Sequence, residues 1–341
     1  MLRRLPVTNP ESRFERYTRD YVDGETPEQG LQIYRDDTKS ILSENKSPDL
    51  PFRFSLNAYR GCAHGCAYCY ARQTHEYLGW GGGSDFERKI LIKPNAATLL
   101  RERFEREAWR GDLIVISANT DAYQPIERQF ELTRSCLEVC VEYRNPVHII
   151  TRSALIERDI DLLSQLRREA SIGVSVSVTF WNPETARAIE PYAPPPSRRI
   201  ETIRRLSAAD IPVMVHVAPL IPGLSDSDLI PILEAAREAG ALGAMYMPVR
   251  LPGPAKVVFE ERLREHIPLR AEKVLTRIRE MRDGKLNEAR FFERQRGLGS
   301  YAALLEQTFE VTAKRLGFKD LPSVKSTFRR PSRKRQLGLF D

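Results

Sequence analysis

A chain of 341 residues, 41% hydrophobic and 29% charged, can bury one large core or two modest ones, has an ordinary soluble balance and carries no apolar run that suggests a membrane. Five cysteines are too sparse and too odd in number for a disulfide framework, and the basic stretch Met1 to Pro6 lacks the apolar run of a signal peptide, so a reduced, cytoplasmic protein is expected. A formal net charge of +7 and a pI near 9.2 favour a polyanionic partner, although a basic balance is as often a statement about solubility.

Residues 1–50 scatter Pro, Gly, Asp and Glu through little apolar periodicity, which reads as an irregular N-terminal extension. Residues 51–250 alternate short β-branched or apolar runs with longer helical patterns. The runs are Phe54 to Tyr59, Lys89 to Lys93, Leu113 to Ser117, Val147 to Thr151, Gly173 to Phe180, Val213 to Ala218 and Ala244 to Met247. Such alternation predicts parallel strands with helices outside them. Six or seven units predict an α/β fold, a partial TIM-type (β/α)6 barrel.

The first run leads into Tyr59-Arg60-Gly61-Cys62-Ala63-His64-Gly65-Cys66-Ala67-Tyr68-Cys69-Tyr70. Three thiolates spaced C-x3-C-x2-C can hold one iron-sulfur cluster by three of its four irons, leaving the fourth open to another ligand. A zinc site using the same cysteines with His64 or His75 is the rival, but its short knuckles usually come in pairs and the sequence has no second one. Gly81-Gly82-Gly83-Ser84 is followed by no helix-opening Lys-Ser/Thr, so it reads as a flexible loop rather than a phosphate cradle.

Farther along, Leu132, Cys136, Val139, Cys140 and Tyr143 form one helical stripe, which assigns Cys136 and Cys140 to core packing. In the fifth run Val174, Val176, Val178 and Phe180 share one face, and Ser175, Ser177, Thr179 and Trp181 share the other. Val213, Val215 and Val217 likewise alternate with Met214, His216 and Ala218. With the valines toward the helices, the serines and His216 line a polar lumen; a lone strand histidine is more often structural than catalytic. Active sites of parallel barrels form from the loops after the strands. The Cys loop, Asn119-Thr120-Asp121, Arg152, Trp181-Asn182 and Pro219-Leu220-Ile221-Pro222-Gly223 all fall there.

Residues 251–320 turn helical over Val257 to His266, Leu269 to Arg282 and Tyr301 to Leu316, punctuated by Gly284 and Gly297-Leu298-Gly299, which predicts a C-terminal helical cap. Residues 321–341 read as a basic flexible tail, in which Lys325, Arg329, Arg330, Arg333, Lys334 and Arg335 interleave with Pro and Ser.

The stretch Phe52 to Glu87, with Ser55-Leu56-Asn57, the Cys loop, Ala71-Arg72 and Asp85-Phe86-Glu87, resembles bacterial radical S-adenosylmethionine (SAM) proteins related to spore photoproduct lyase. The resemblance continues through Thr120 to Glu127, Ile149 to Ser153, Glu190-Pro191 and Ala218 to Gly223, so it covers roughly residues 50–250. It implies a [4Fe-4S] cluster on Cys62, Cys66 and Cys69, SAM on the open iron, an electron donor, and reductive cleavage to a 5'-deoxyadenosyl radical. It further implies SAM held by Thr120 and Asp121 at the amino end, by Arg152 near the carboxylate, and by Ile221 against adenine. Tyr68, just before the last Cys, joins this set. A helix N-cap remains open for Asp121 and a surface salt bridge for Arg152. Where spore photoproduct lyase has its hydrogen-donor Cys this chain has Ala118; Tyr59, Tyr123 and Tyr246 are alternative relays, each more readily explained as structural.

The pentapeptide Gln336-Leu337-Gly338-Leu339-Phe340 resembles the sliding-clamp-binding motif of bacterial replication and repair proteins. In that motif Gln336 would anchor one end while Leu339 and Phe340 fill an apolar pocket; the alternative is a tail folded back on the C-terminal helices. The basic run before it would meet DNA phosphates in a salt-dependent way. Three functions stay open: a radical SAM enzyme acting on DNA, in lesion repair; one acting on RNA, a peptide or a small molecule; and a non-catalytic, metal-stabilised nucleic-acid-binding module.

Overall fold

The computed structural model describes residues 30–324 and 326–331. Among the described residues ten strands form two sheets: β1 (Gln32–Arg35), β2 (Leu42–Glu44), β3 (Phe54–Leu56), β4 (Tyr59–Arg60), β5 (Lys89–Ile92), β6 (Ile114–Ile116), β7 (Val147–Thr151), β8 (Ile172–Ser177), β9 (Val213–Leu220) and β10 (Gly243–Pro248). The larger sheet runs β10-β9-β8-β7-β6-β3-β2. Its six strands from β3 to β10 are parallel in chain order, and β2 is an antiparallel edge. This is the wall of a partial TIM-type barrel.

Period-two alternation decides which side chains face inward. Val174, Val176, Val213, Val215 and Val217 are buried in one core with Leu163 and Leu166 of helix Ile160–Glu169 and with Ile203 and Leu206 of helix Pro196–Ala208. Each fully buried valine or leucine contributes about 1.5–3 kcal/mol. Cys136 and Cys140 lie in the same core, fully buried on helix Leu132–Glu142. The opposite faces make the lumen, where register pairs His216 with Ser177 on one side and Met245 on the other.

Three expectations change. The run beginning at Lys89 is a strand but not a barrel strand: β5 pairs with β1 and β4 in a separate three-stranded sheet. A short apolar run signals a strand without saying which sheet receives it. The run Phe54 to Tyr59 correspondingly splits, β3 staying in the barrel while β4 joins the small sheet. The N-terminal segment, read as irregular, supplies an edge strand to each sheet through β1 and β2.

The third correction concerns the tail, of which 326–331 are ordered against the barrel floor. Phe328 packs its ring 5.7 Å from Phe104 and 6.2 Å from Tyr143. Arg330 donates to the carbonyls of Phe104, Arg106 and Trp109 at 3.0, 2.7 and 3.1 Å. Carbonyls at the end of helix Ala96–Glu105 have no partner within the helix, so a guanidinium placed there satisfies them. Just before this, Leu321, Pro322 and Val324 close a pocket with Leu113, His148 and Pro212 at the N-terminal ends of the strands. Toward the C-terminus of the barrel, helices Pro254–His266, Pro268–Glu280 and Gly299–Arg315 follow the last strand. Among the described residues no helix is long and apolar enough to cross a membrane.

Candidate active site

The Cys loop spans β4 and the 3-10 helix Tyr70–Leu78, and polar side chains grip its backbone from several directions. Gly61 turns it with φ +81, and a Cβ there would lie 2.9 Å from the Phe86 carbonyl, so only glycine fits. Gln124, fully buried, accepts from Ala63 N at 2.9 Å and donates to Gly61 O at 3.1 Å. Arg72, also fully buried, donates through Nε and Nη2 to Cys66 O at 3.1 and 2.8 Å, through Nη1 to Gly82 O and Gly83 O at 3.0 Å each, and to Glu87 at 2.5 Å. From the end of helix Pro183–Ile189, Ile189 O accepts from Ala67 N at 2.9 Å, and just beyond it Tyr192 N donates to His64 O at 3.2 Å.

All three thiols are free, Cys62 and Cys66 buried and Cys69 partly so. Burial pushes the Cys62 thiol up to about 12, helped by the nearby Asp121 charge, and burial also raises Cys66 and Cys69. Such thiols ionise when a cation sits at their sulfurs, which is what iron ligation provides. Among the described residues no three His, Cys, Asp or Glu side chains converge on one metal ion. His75 is committed to Lys89 O at 2.9 Å, and His64 faces Asp121 at 3.6 Å. A single zinc ion is therefore poorly served, whereas a cluster spreads its thiolates over separate irons.

Beside the loop lies a buried charged knot. Arg152 Nη1 donates to the Tyr68 hydroxyl at 2.5 Å and to Glu190 Oε1 at 2.6 Å. Tyr68 donates to the same Glu190 oxygen, and the Thr179 hydroxyl stands 3.1 Å from Tyr68. Arg199 Nη2 donates to Glu190 Oε2, while its Nε and Nη1 reach Pro194 O and Ser177 O at 2.7 and 3.2 Å. Burial opposes ionisation of Glu190, but Arg199 and Arg152 override it and hold its carboxyl at about 2.

The structure brings the expected residues to one end of the barrel but engages several of them with protein. Asp121 is not a helix N-cap. Its Oδ1 accepts from Tyr123 N at 2.9 Å and Thr151 Oγ1 at 2.6 Å, and its Oδ2 from Arg152 N at 2.9 Å. It is an Asx turn that also pins the loop after β6 to the end of β7. Thr120 Oγ1 donates to Gly61 O at 2.5 Å. Arg152 pairs with a carboxylate, yet the partner is buried rather than at the surface. Ile221 is fully buried in a cluster with Cys66, Tyr68, Phe180 and Leu251.

Tyr70 donates to the carbonyl of Ala118, so a phenol stands over that position. Tyr59 and Tyr123 are wholly buried, and Tyr246 packs on Phe309. Gln336, Leu337, Leu339 and Phe340 lie outside the described residues. Gln124, Arg72, Glu190 and Arg199 had no assigned role in the sequence. The first three stood within family-like segments, and nothing local marks Arg199.

Residues 56–236 match the Radical SAM superfamily. The uncharacterized protein Rv2578c of Mycobacterium tuberculosis is 35% identical over 232 residues, covering 67% of this chain and 68% of that protein. The uncharacterized protein MJ0683 of Methanocaldococcus jannaschii is 28% identical over 200 residues, covering 59% and 72%. Among solved structures, spore photoproduct lyase complexed with dinucleoside spore photoproduct aligns with a TM-score of 0.60 at 15% identity, covering 84% of this chain and 80% of that one. A mutant of that lyase with bound AdoMet and the dinucleoside aligns at 0.61 and 17% over the same shares. At these identities the likeness is one of fold.

Proposed function

The chain belongs to the radical SAM superfamily, and from that premise we propose that Cys62, Cys66 and Cys69 hold its cluster and that its substrate is DNA carrying a base lesion. It is a radical SAM enzyme whose cofactors are a [4Fe-4S] cluster and SAM. Together these supply reductive cleavage of a sulfonium and a 5'-deoxyadenosyl radical able to abstract hydrogen.

The observation that carries the site is the convergence of the Cys loop, the end of β7 and the C-terminus of helix Pro183–Ile189 on Arg152, Tyr68 and Glu190. Arg72 and Gln124 fix the loop backbone, so the thiolates are presented with little freedom left to lose. Arg152 meets Glu190 through Nη1 alone, so its guanidinium keeps donors that can fork onto a second carboxylate. Ile221, fully buried with Tyr68 and Phe180, backs the adenine site as packing. Thr120 and Asp121, with these bonds directed into the protein, shape the pocket for the amino end more than they bind it.

DNA as substrate is supported by the fold shared with spore photoproduct lyase, solved with a dinucleoside lesion, and by the net charge of +7. Ala118 leaves no thiol where that lyase donates hydrogen, so the reaction ends differently. We assign Gln336 to Phe340 to a sliding clamp. The chain leaves the described structure at Pro331 on the barrel floor, the end opposite the Cys loop, and the five steps from there to Gln336 span at most about 18 Å. Docking there leaves the mouth free for DNA.

Reduced enzyme with SAM, incubated with damaged and undamaged DNA and followed by mass analysis of nucleosides, tests the substrate. An altered nucleoside from damaged DNA is expected. SAM turnover with no altered nucleoside contradicts it and redirects the search to RNA, a peptide or a small molecule.

A further inference from the structure

Glu190 sits between two arginines in an arrangement that ion pairing alone does not require. One oxygen takes the Arg152 Nη1 and Tyr68 hydroxyl bonds, and the other takes Arg199 Nη2. Arg199 is 1% exposed and anchored at Pro194 O and Ser177 O, so it cannot follow Glu190 if that carboxylate swings toward Arg152. Among the described residues Arg152 donates from its side chain through Nη1 only, leaving Nε and Nη2 as an open edge. Among the described residues these two guanidiniums share Glu190 as their paired carboxylate, two cations to one anion.

We propose that Glu190 and Arg199 are positioning residues: Arg199 holds one Glu190 oxygen away from Arg152, so that Arg152 keeps a free edge and a net positive charge for the SAM carboxylate. The inference rests on Arg152 as the carboxylate-binding residue. Without Arg199, Glu190 would fork onto Arg152 with both oxygens, saturating and neutralising it. Removing a cation that does not touch the ligand would then cripple a neighbouring cation that does.

The test is equilibrium dialysis of SAM against anaerobically reconstituted, oxidised full chain, with binding normalised to iron content. Arg199→Gln is expected to weaken SAM binding by about tenfold or more, and the double variant Arg199→Gln with Glu190→Gln to recover to within about threefold of wild type, since Arg152 regains its edge and its charge. A merely structural role predicts the reverse, because the double variant loses more buried bonds than the single one. Arg199→Lys, which keeps the charge and guards against a variant that fails to fold, is expected to bind within about threefold of wild type. If Arg152→Gln binds SAM as wild type does, the Arg152 assignment fails. If Arg152→Gln weakens binding while Arg199→Gln does not, or the double variant shows no recovery, the positioning proposal alone is overturned.

Discussion

The Arg152 guanidinium and the Glu190 carboxylate meet at 2.6 Å beside the Cys loop, joining the end of β7 to the C-terminus of helix Pro183–Ile189 across 38 residues of sequence. The same carboxylate receives the hydroxyl of Tyr68, one residue before the last cysteine. The mouth is therefore joined by a charge pair as well as by apolar packing.

Arg152→Gln should lower SAM affinity by about 10- to 100-fold, the size expected when a charged hydrogen-bond partner is lost. Reconstituted iron content should change little, because Arg152 touches no cluster-loop backbone. Dialysis and iron analysis on the same preparation separate the two effects.

Gln124→Ala should act the other way round. It strips Ala63 N of its buried acceptor, at about 1–3 kcal/mol, and removes one of the two donors to Gly61 O, which keeps the Thr120 hydroxyl. The expected result is a lower melting temperature and a poorly retained cluster. Normal iron and sulfide retention would show that the Cys loop does not need this clamp.

The contrast between these residues shows what a sequence can disclose. Valine alternation in β8 and β9 is local, so the lumen and helix sides were legible, as was the Cys136 and Cys140 stripe. The thiolate spacing was legible for the same reason. Partners of a buried charge are not local: Arg152 finds Glu190, and Gln124 finds Gly61, only after the barrel has formed. Asp121 is placed at the amino end of SAM by resemblance alone, and no local pattern shows that its oxygens also accept from Tyr123 N, Arg152 N and the Thr151 hydroxyl. The basic composition of the tail hid Phe328, whose apolar contact against Phe104 orders the segment before Pro331.

Arg330→Ala should lower the melting temperature by a few degrees while leaving SAM cleavage at the wild-type rate. Three carbonyls on the barrel floor lose a shared donor, at roughly 1–2 kcal/mol in a partly exposed setting. An activity loss without a stability change would contradict a floor-strap role.

Two lumen histidines make stability depend on pH. Burial lowers His216 to about 3, with the His148 charge adding, and burial lowers His148 to about 4. The unfolded chain protonates these groups near 6.5 while the native state resists. Stability is therefore full above that value and lost as pH falls toward 4, at roughly 1.4 kcal/mol per pH unit for each group. The melting temperature should fall between pH 7 and pH 5, and His148→Gln should flatten that slope. An unchanged slope would show that His148 takes up its proton in the folded state.

Anaerobic reconstitution of the full chain with iron and sulfide, then reduction in the presence of SAM, tests the central claim most directly. Wild type should take up about four irons per chain and release 5'-deoxyadenosine, and folded Cys66→Ala should lose both. Wild-type protein that holds a reduced cluster yet never cleaves SAM, or Cys66→Ala that keeps both iron and cleavage, would contradict the account.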